Sequence, residues 1–133
     1  MTFEDLEAWQ KAREVTSAVY ALCRDQAIAK DFGLCSQIQR AAVSTMSNIA
    51  EGFERKHLAE KQQLYNVAHA SNGEVRSLTY VIEDNYPAQA RAASQLRALA
   101  MEAGAILAGL IRSTRSRAQA PAGENVEGRG KNG

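Results

Sequence analysis

The stretch Ser47-Asn48-Ile49-Ala50-Glu51-Gly52-Phe53-Glu54-Arg55 lies inside a segment of helical periodicity, yet its Ser-Asn and Glu-Gly pairs weaken a helix or ask for partners. Around it, Leu34, Ile38, Ala41, Thr45, Ile49 and Gly52 or Phe53 recur at steps of three and four and so form one apolar stripe. At about 100° per residue, Gln37, Arg40, Ser44, Ser47, Asn48, Glu51 and Arg55 fall on a separate arc. The awkward residues are therefore the polar face of a bundle helix, with Glu51 set to pair with Arg55 one turn on. Gly52 falls near the apolar side, where a missing side chain lets another backbone approach closely.

Outward from this helix, expected over 34–55, three others follow. The first, over about 3–27, opens on Thr2 and Asp5 as a capping pair and lines Leu6, Trp9, Ala12, Val15, Val19 and Leu22 on one face, which makes Trp9 a core residue. Asp31-Phe32-Gly33 breaks it. The third, over 58–85, keeps its apolar phase from Leu64 and Ala68 to Val75 and Leu78, so Ser71-Asn72-Gly73-Glu74 is read as helix rather than as a turn. Tyr86-Pro87 ends it, because proline disfavours helical angles in the residue before it. The fourth, over 87–117, carries Ala92, Leu96, Leu99, Ala103, Ile106 and Leu110 on one side and Ala93, Ala100, Gly104, Leu107, Ala108 and Ile111 on a second, which asks for a partner subunit. Residues 118–133 have almost no large apolar side chain and many glycines, and are expected to be a disordered tail.

Four amphipathic helices on short connections imply an all-α, up-down antiparallel four-helix bundle over 1–117 that assembles into a homo-oligomer. The alternative is a three-helix core with the fourth helix exchanged between subunits. A net charge of +1 speaks against a strongly basic nucleic-acid binder. Charge is nonetheless uneven, since residues 87–117 hold Arg91, Arg97, Arg112, Arg115 and Arg117 against Glu102 alone. The acidic N-terminus does not read as an export signal, and no uninterrupted apolar run approaches the roughly 20 residues of a membrane span. The expected location is the cytoplasm. There Cys23 and Cys35, whose spacing fits neither a zinc site nor a redox motif, are expected to be reduced, inert thiols.

No phosphate loop, nucleophile motif or zinc spacing is present in the sequence. Glu54 and His57 supply one Glu-x-x-His spacing of a di-iron bundle, but the second copy is missing because Asn66 stands three residues before His69. The expectation is therefore no enzyme, no cofactor, no metal site and no small-molecule substrate.

Phe3, Leu6, Trp9, Gln10 and Ala12, followed by Gly33, Leu34, Gln37, Ile38, Arg40, Ala41, Ser44, Ser47, Asn48, Ile49, Ala50, Glu51, Gly52 and Arg55, form a specific pattern within a resemblance that covers about residues 3–115. It resembles the bacterial four-helix bundle proteins encoded in intervening sequences of 23S ribosomal RNA genes, and also the accessory variability proteins of diversity-generating retroelements. Met46 stands where many relatives have proline, and Ala70 where glycine is common. The resemblance implies a cytosolic, ring-like homopentamer without enzymatic activity, while its retroelement members imply a nucleic-acid or nucleoprotein partner. Its signature falls on Gln37, Arg40, Ser44, Asn48, Glu51, Gly52 and Arg55. The expected interface is thus the polar arc of Gln37, Arg40, Ser44, Asn48, Glu51 and Arg55. The runner-up surface, for nucleic acid, is a basic face of the fourth helix made by Arg91, Arg97, Arg112 and Arg115 on the side away from its apolar stripe.

Overall fold

The computed structural model describes residues 1–119. Four helices carry the fold: α1 (Glu7–Leu22), α2 (Phe32–Glu54), α3 (Leu58–Asn85) and α4 (Ala90–Ala118). Short 3-10 turns occupy Phe3–Asp5, Ile28–Lys30 and Pro87–Gln89, and no strand occurs among the described residues. Each helix packs along its neighbour in sequence and α4 returns against α1, which closes a four-cornered bundle. Only residues 55–57 join α2 to α3 and 86–89 join α3 to α4, so these neighbours reverse direction.

The first helix is shorter than the 3–27 expected. Thr2 N–H does donate to the Asp5 carboxylate at 2.9 Å, but the pair caps a single 3-10 turn. Leu6 then takes extended angles (φ −73°, ψ 127°), and α1 begins afresh at Glu7. At the far end Asp25 accepts the backbone N–H groups of Ala27 (3.1 Å) and Ile28 (3.2 Å), an alternative to helical bonding that ends the helix. The break before α2 is made by Asp31 rather than Gly33. Its carboxylate accepts the Leu34 N–H at 3.2 Å, so Asp31 is the N-cap and α2 starts at Phe32, two residues before the expected 34. The same two aspartates tie this link to the α3–α4 link, Asp31 accepting the Tyr86 hydroxyl at 2.8 Å and Asp25 the Gln89 side-chain amide at 2.8 Å.

α3 runs unbroken through Ser71–Glu74, with Asn72 turned into the bundle and donating to the Ala100 carbonyl at 2.8 Å. Pro87 starts a 3-10 turn, so α4 proper begins at Ala90 and ends at Ala118, where the tail was expected to start. Gln119 follows in a turn, and the rest of that tail lies outside the described residues.

Two apolar clusters form the core. One gathers Val15, Val19, Leu22, Ile28, Leu34, Ile38, Val75, Ile82 and Leu96 toward the α1–α2 link. The other gathers Ala8, Ala12, Ile49, Tyr65, Ala68, Leu107 and Ile111 toward the α2–α3 link. In α4 the buried line is Ala93, Leu96, Ala100, Ala103, Leu107, Ile111 and Thr114, the seam between the two sides expected from sequence. Ala92, Leu99, Ile106 and Leu110 flank this line half-buried, as do Gly104 and Ala108 on its other side. The breadth of this helix's apolar surface thus follows in part from its two neighbours, α1 and α3, within one chain. By length and composition α4 is also apolar enough to cross a membrane, although Arg97 and Glu102 interrupt its apolar run.

Candidate interaction surface

The polar arc of α2 divides in two. Gln37, Ser44 and Asn48 lie at the seam with α3. Gln37 donates to Glu74 at 3.1 Å, the Ser44 and Ser71 hydroxyls are 2.9 Å apart, and the Asn48 amide donates to the Ser44 carbonyl (2.9 Å) and hydroxyl (3.1 Å). These bonds answer the demand of Asn48 for partners within one chain, while Ser47 is exposed to solvent. Arg40, Glu51 and Arg55 point outward, and their side chains make no hydrogen bond or ion pair among the described residues. The expected Glu51–Arg55 pair is absent because Arg55 is the C-cap: its backbone turns to φ −71°, ψ 148° and leaves the helical surface on which i,i+4 side chains meet. Glu54 and His57 are likewise separated, one ending α2 and the other capping α3, so they share no helix face.

Gly52 is explained by a side chain rather than a backbone. The buried ring of Tyr65 lies so close that a Cβ on Gly52 would sit 2.6 Å from its Cε1. Beside it Lys61 donates to the Phe53 (2.7 Å) and Gly52 (3.3 Å) carbonyls at the end of α2, where the Gly52 carbonyl also accepts the Arg55 N–H at 3.3 Å. Burial and the nearby Arg117 hold the Lys61 ammonium pKa below its usual value.

The four arginines of α4 do not form one face. Arg97 is packed against α3: it pairs with Glu83, its Nε–H donates to the Thr79 hydroxyl at 3.0 Å, and its guanidinium lies 3.7 Å from the centroid of the Tyr80 ring. Arg91 is exposed, but the 21 positions separating it from Arg112 place it roughly 30 Å away along the helix. Arg112 and Arg115 stay together, and the exposed Arg117 joins them at the end of the bundle that holds Lys61, Arg55 and Lys56. That clustering depends on chain reversal and is invisible in a count along one helix.

Large apolar side chains also remain outside. Phe32 is 80% exposed, and with Tyr20 and Val43 it rims an open groove of about 630 Å³ between α1 and α2, together with Ser36, Gln39 and Arg40. Elsewhere Val67 and Val81 of α3 are exposed in register with Glu74, on the edge facing α2, while Tyr80 of α3 and Met101 of α4 are exposed on the α3–α4 side. The sequence reading had missed these residues, although Val43, Val67, Val81 and Met101 are apolar positions out of phase with the stripes of their helices. Trp9 packs partly buried against the cluster toward the α2–α3 link, edge to face with Phe3 at 5.2 Å between centroids and under the Arg13 guanidinium. No group of three or more potential metal ligands comes together among the described residues.

A comparison with curated proteins gives no match. A family model described as the 23S rRNA-intervening sequence protein matches residues 4–109.

Proposed function

Because the chain belongs to the 23S rRNA-intervening sequence protein family, we propose that it is a non-enzymatic, cytoplasmic scaffold that works as a homo-oligomer, a ring of five, without cofactor, membrane or small-molecule substrate. The observation that carries the reading is the pair of unlike apolar surfaces left outside the bundle. Phe32, Tyr20 and Val43 stand on the α1–α2 side, and Tyr80 and Met101 on the α3–α4 side. Exposed apolar side chains of this size on both flanks suit burial by another protein surface. Contact between two unlike faces of identical chains is heterologous, and a heterologous contact closes into a ring when the rotation permits. The outward half of the polar arc, Arg40, Glu51 and Arg55, supplies charged groups of both signs to set register across such a contact.

A second reading is favoured by one observation, the exposed Arg112, Arg115 and Arg117 in the last turns of α4, with Arg117 near Lys61 at the same end of the bundle. Repeated around a ring, this end would attract the phosphates of RNA by avidity, making the protein an accessory RNA- or nucleoprotein-binding factor.

Native mass spectrometry of the untagged protein at low salt tests both. Five chains without extra mass are expected. A monomer would overturn the scaffold, and bound RNA lost on changing Arg112 and Arg115 to Gln would establish the second reading.

A further inference from the structure

Cys23 and Cys35 are twelve positions apart in sequence, but the α1–α2 link folds one back onto the other. Cys23 is the C-cap of α1, and Cys35 lies in the first turn of α2, its N–H donating to the Asp31 carbonyl at 3.0 Å. Both are buried in the same apolar cluster. There the Cys23 thiol faces Cys35 and Gln39.

The two thiols are not equivalent. Cys35 lines the open groove between Tyr20 and Phe32, and its thiol donates to the Ile28 carbonyl at 3.3 Å. Cys23 does not line that groove, and burial followed by contact with Cys35 pushes its thiol pKa up to about 12. A thiol held protonated in this way is a poor first nucleophile, because the thiolate is the reactive form. It is nonetheless well placed to react with an electrophilic sulfur brought against it.

We propose that Cys35 and Cys23 are a redox dithiol in which Cys35 meets a hydroperoxide from the groove and Cys23 resolves the product into a disulfide joining the end of α1 to the start of α2. In the first step the Cys35 thiolate attacks the peroxide: an S–O bond forms, the O–O bond breaks and hydroxide leaves, giving Cys35 sulfenic acid. In the second, the Cys23 sulfur attacks that sulfur, the S–S bond forms, the S–O bond breaks, and the Cys23 proton departs with the hydroxyl as water. Two thiols are oxidised to one disulfide while hydrogen peroxide is reduced to two waters. The reaction needs the α1–α2 groove open, whereas in the proposed scaffold another chain covers it, so the peroxide treatment is made at a dilution where native mass spectrometry shows single protomers.

The test treats the folded, full-length protein with hydrogen peroxide, denatures it in iodoacetamide and measures its intact mass. The expected product is a monomeric chain lighter by two hydrogens with neither cysteine alkylated. Cys23→Ser should stop at a Cys35 sulfenic acid that dimedone captures, whereas Cys35→Ser should leave Cys23 fully alkylatable. Wild-type protein in which both cysteines remain alkylatable overturns the proposal, as does equal dimedone labelling of Cys35 with and without Cys23. The wild-type measurement needs no substitution, so poor folding of a serine variant cannot hide a negative result.

Discussion

The ring of Tyr65 lies across the face of Gly52, leaving no room for a single methyl group between α2 and α3. Replacing Gly52 by Ala gains about 1 kcal/mol of helix propensity, but forces a ring that is only 2% exposed out of its packing. Overpacking of this kind costs about 1–3 kcal/mol, and the displaced ring also disturbs the Lys61 cap beside it. Gly52→Ala should therefore lower Tm by several degrees in thermal unfolding followed by circular dichroism. An unchanged or higher Tm would mean that the ring yields without cost.

Arg97 belongs to the fold. Its side chain is 14% exposed and joins Glu83, Thr79 and Tyr80 of α3 through an ion pair, a hydrogen bond and stacking on an aromatic face. Lysine keeps the charge but not the planar fork, so Arg97→Lys should lose about 1–2 kcal/mol, close to the loss for Arg97→Ala. Neither change should alter the salt dependence of any nucleic-acid binding, which Arg112→Gln with Arg115→Gln should reduce. Chemical denaturation read beside binding at two salt concentrations separates the two roles, and a weakened salt dependence in Arg97→Lys would return that residue to the basic surface.

How far the sequence carried depends on whether a feature is set along one helix or between helices. The stripe Leu34, Ile38, Ala41, Thr45, Ile49 and Gly52 is buried at every position, because its period is a property of α2 itself. The continuation of α3 through Asn72 and Gly73 was legible for the same reason. What escaped depends on a second element: the Tyr65 ring over Gly52, the α3 partners of Arg97, the approach of Arg117 to Lys61, and the meeting of Cys23 with Cys35. The buried line of α4 was misplaced by about one residue because a helix wedged between two neighbours buries the seam between its apolar sides. Leu6 escaped for a different reason, its extended backbone interrupting a helix that apolar spacing alone would continue.

Phe32 separates the stability of one chain from that of the proposed assembly. Its side chain is largely exposed, so Phe32→Ser should change the unfolding free energy of the isolated protomer by no more than about 0.5 kcal/mol. If the α1–α2 side is buried against another chain, the same change should shift the native mass spectrum toward smaller species. An unaltered distribution of subunit number would remove Phe32 from the contact.

Tyr86 gives the fold a pH dependence at the alkaline end. Its hydroxyl donates to the Asp31 carboxylate at 2.8 Å, and that hydrogen bond, with smaller contributions from burial and the carboxylate charge, raises the phenol pKa above its usual value near 10. Folding therefore favours the protonated phenol. Its contribution is fully present below the unfolded-state pKa and is lost as pH rises through the higher folded-state value. The same carboxylate caps α2 at Leu34, so ionising Tyr86 sets a phenolate against the group that starts that helix. The stability difference between wild type and Tyr86→Phe should accordingly stay level from neutral pH to the ordinary tyrosine range and vanish above it. Tyr65 is also raised, by burial, so phenolate absorbance of the native protein should show two late-titrating tyrosines in the wild type and one in Tyr86→Phe. A difference that already shrinks well below the ordinary tyrosine range would exclude the Tyr86–Asp31 bond as its source.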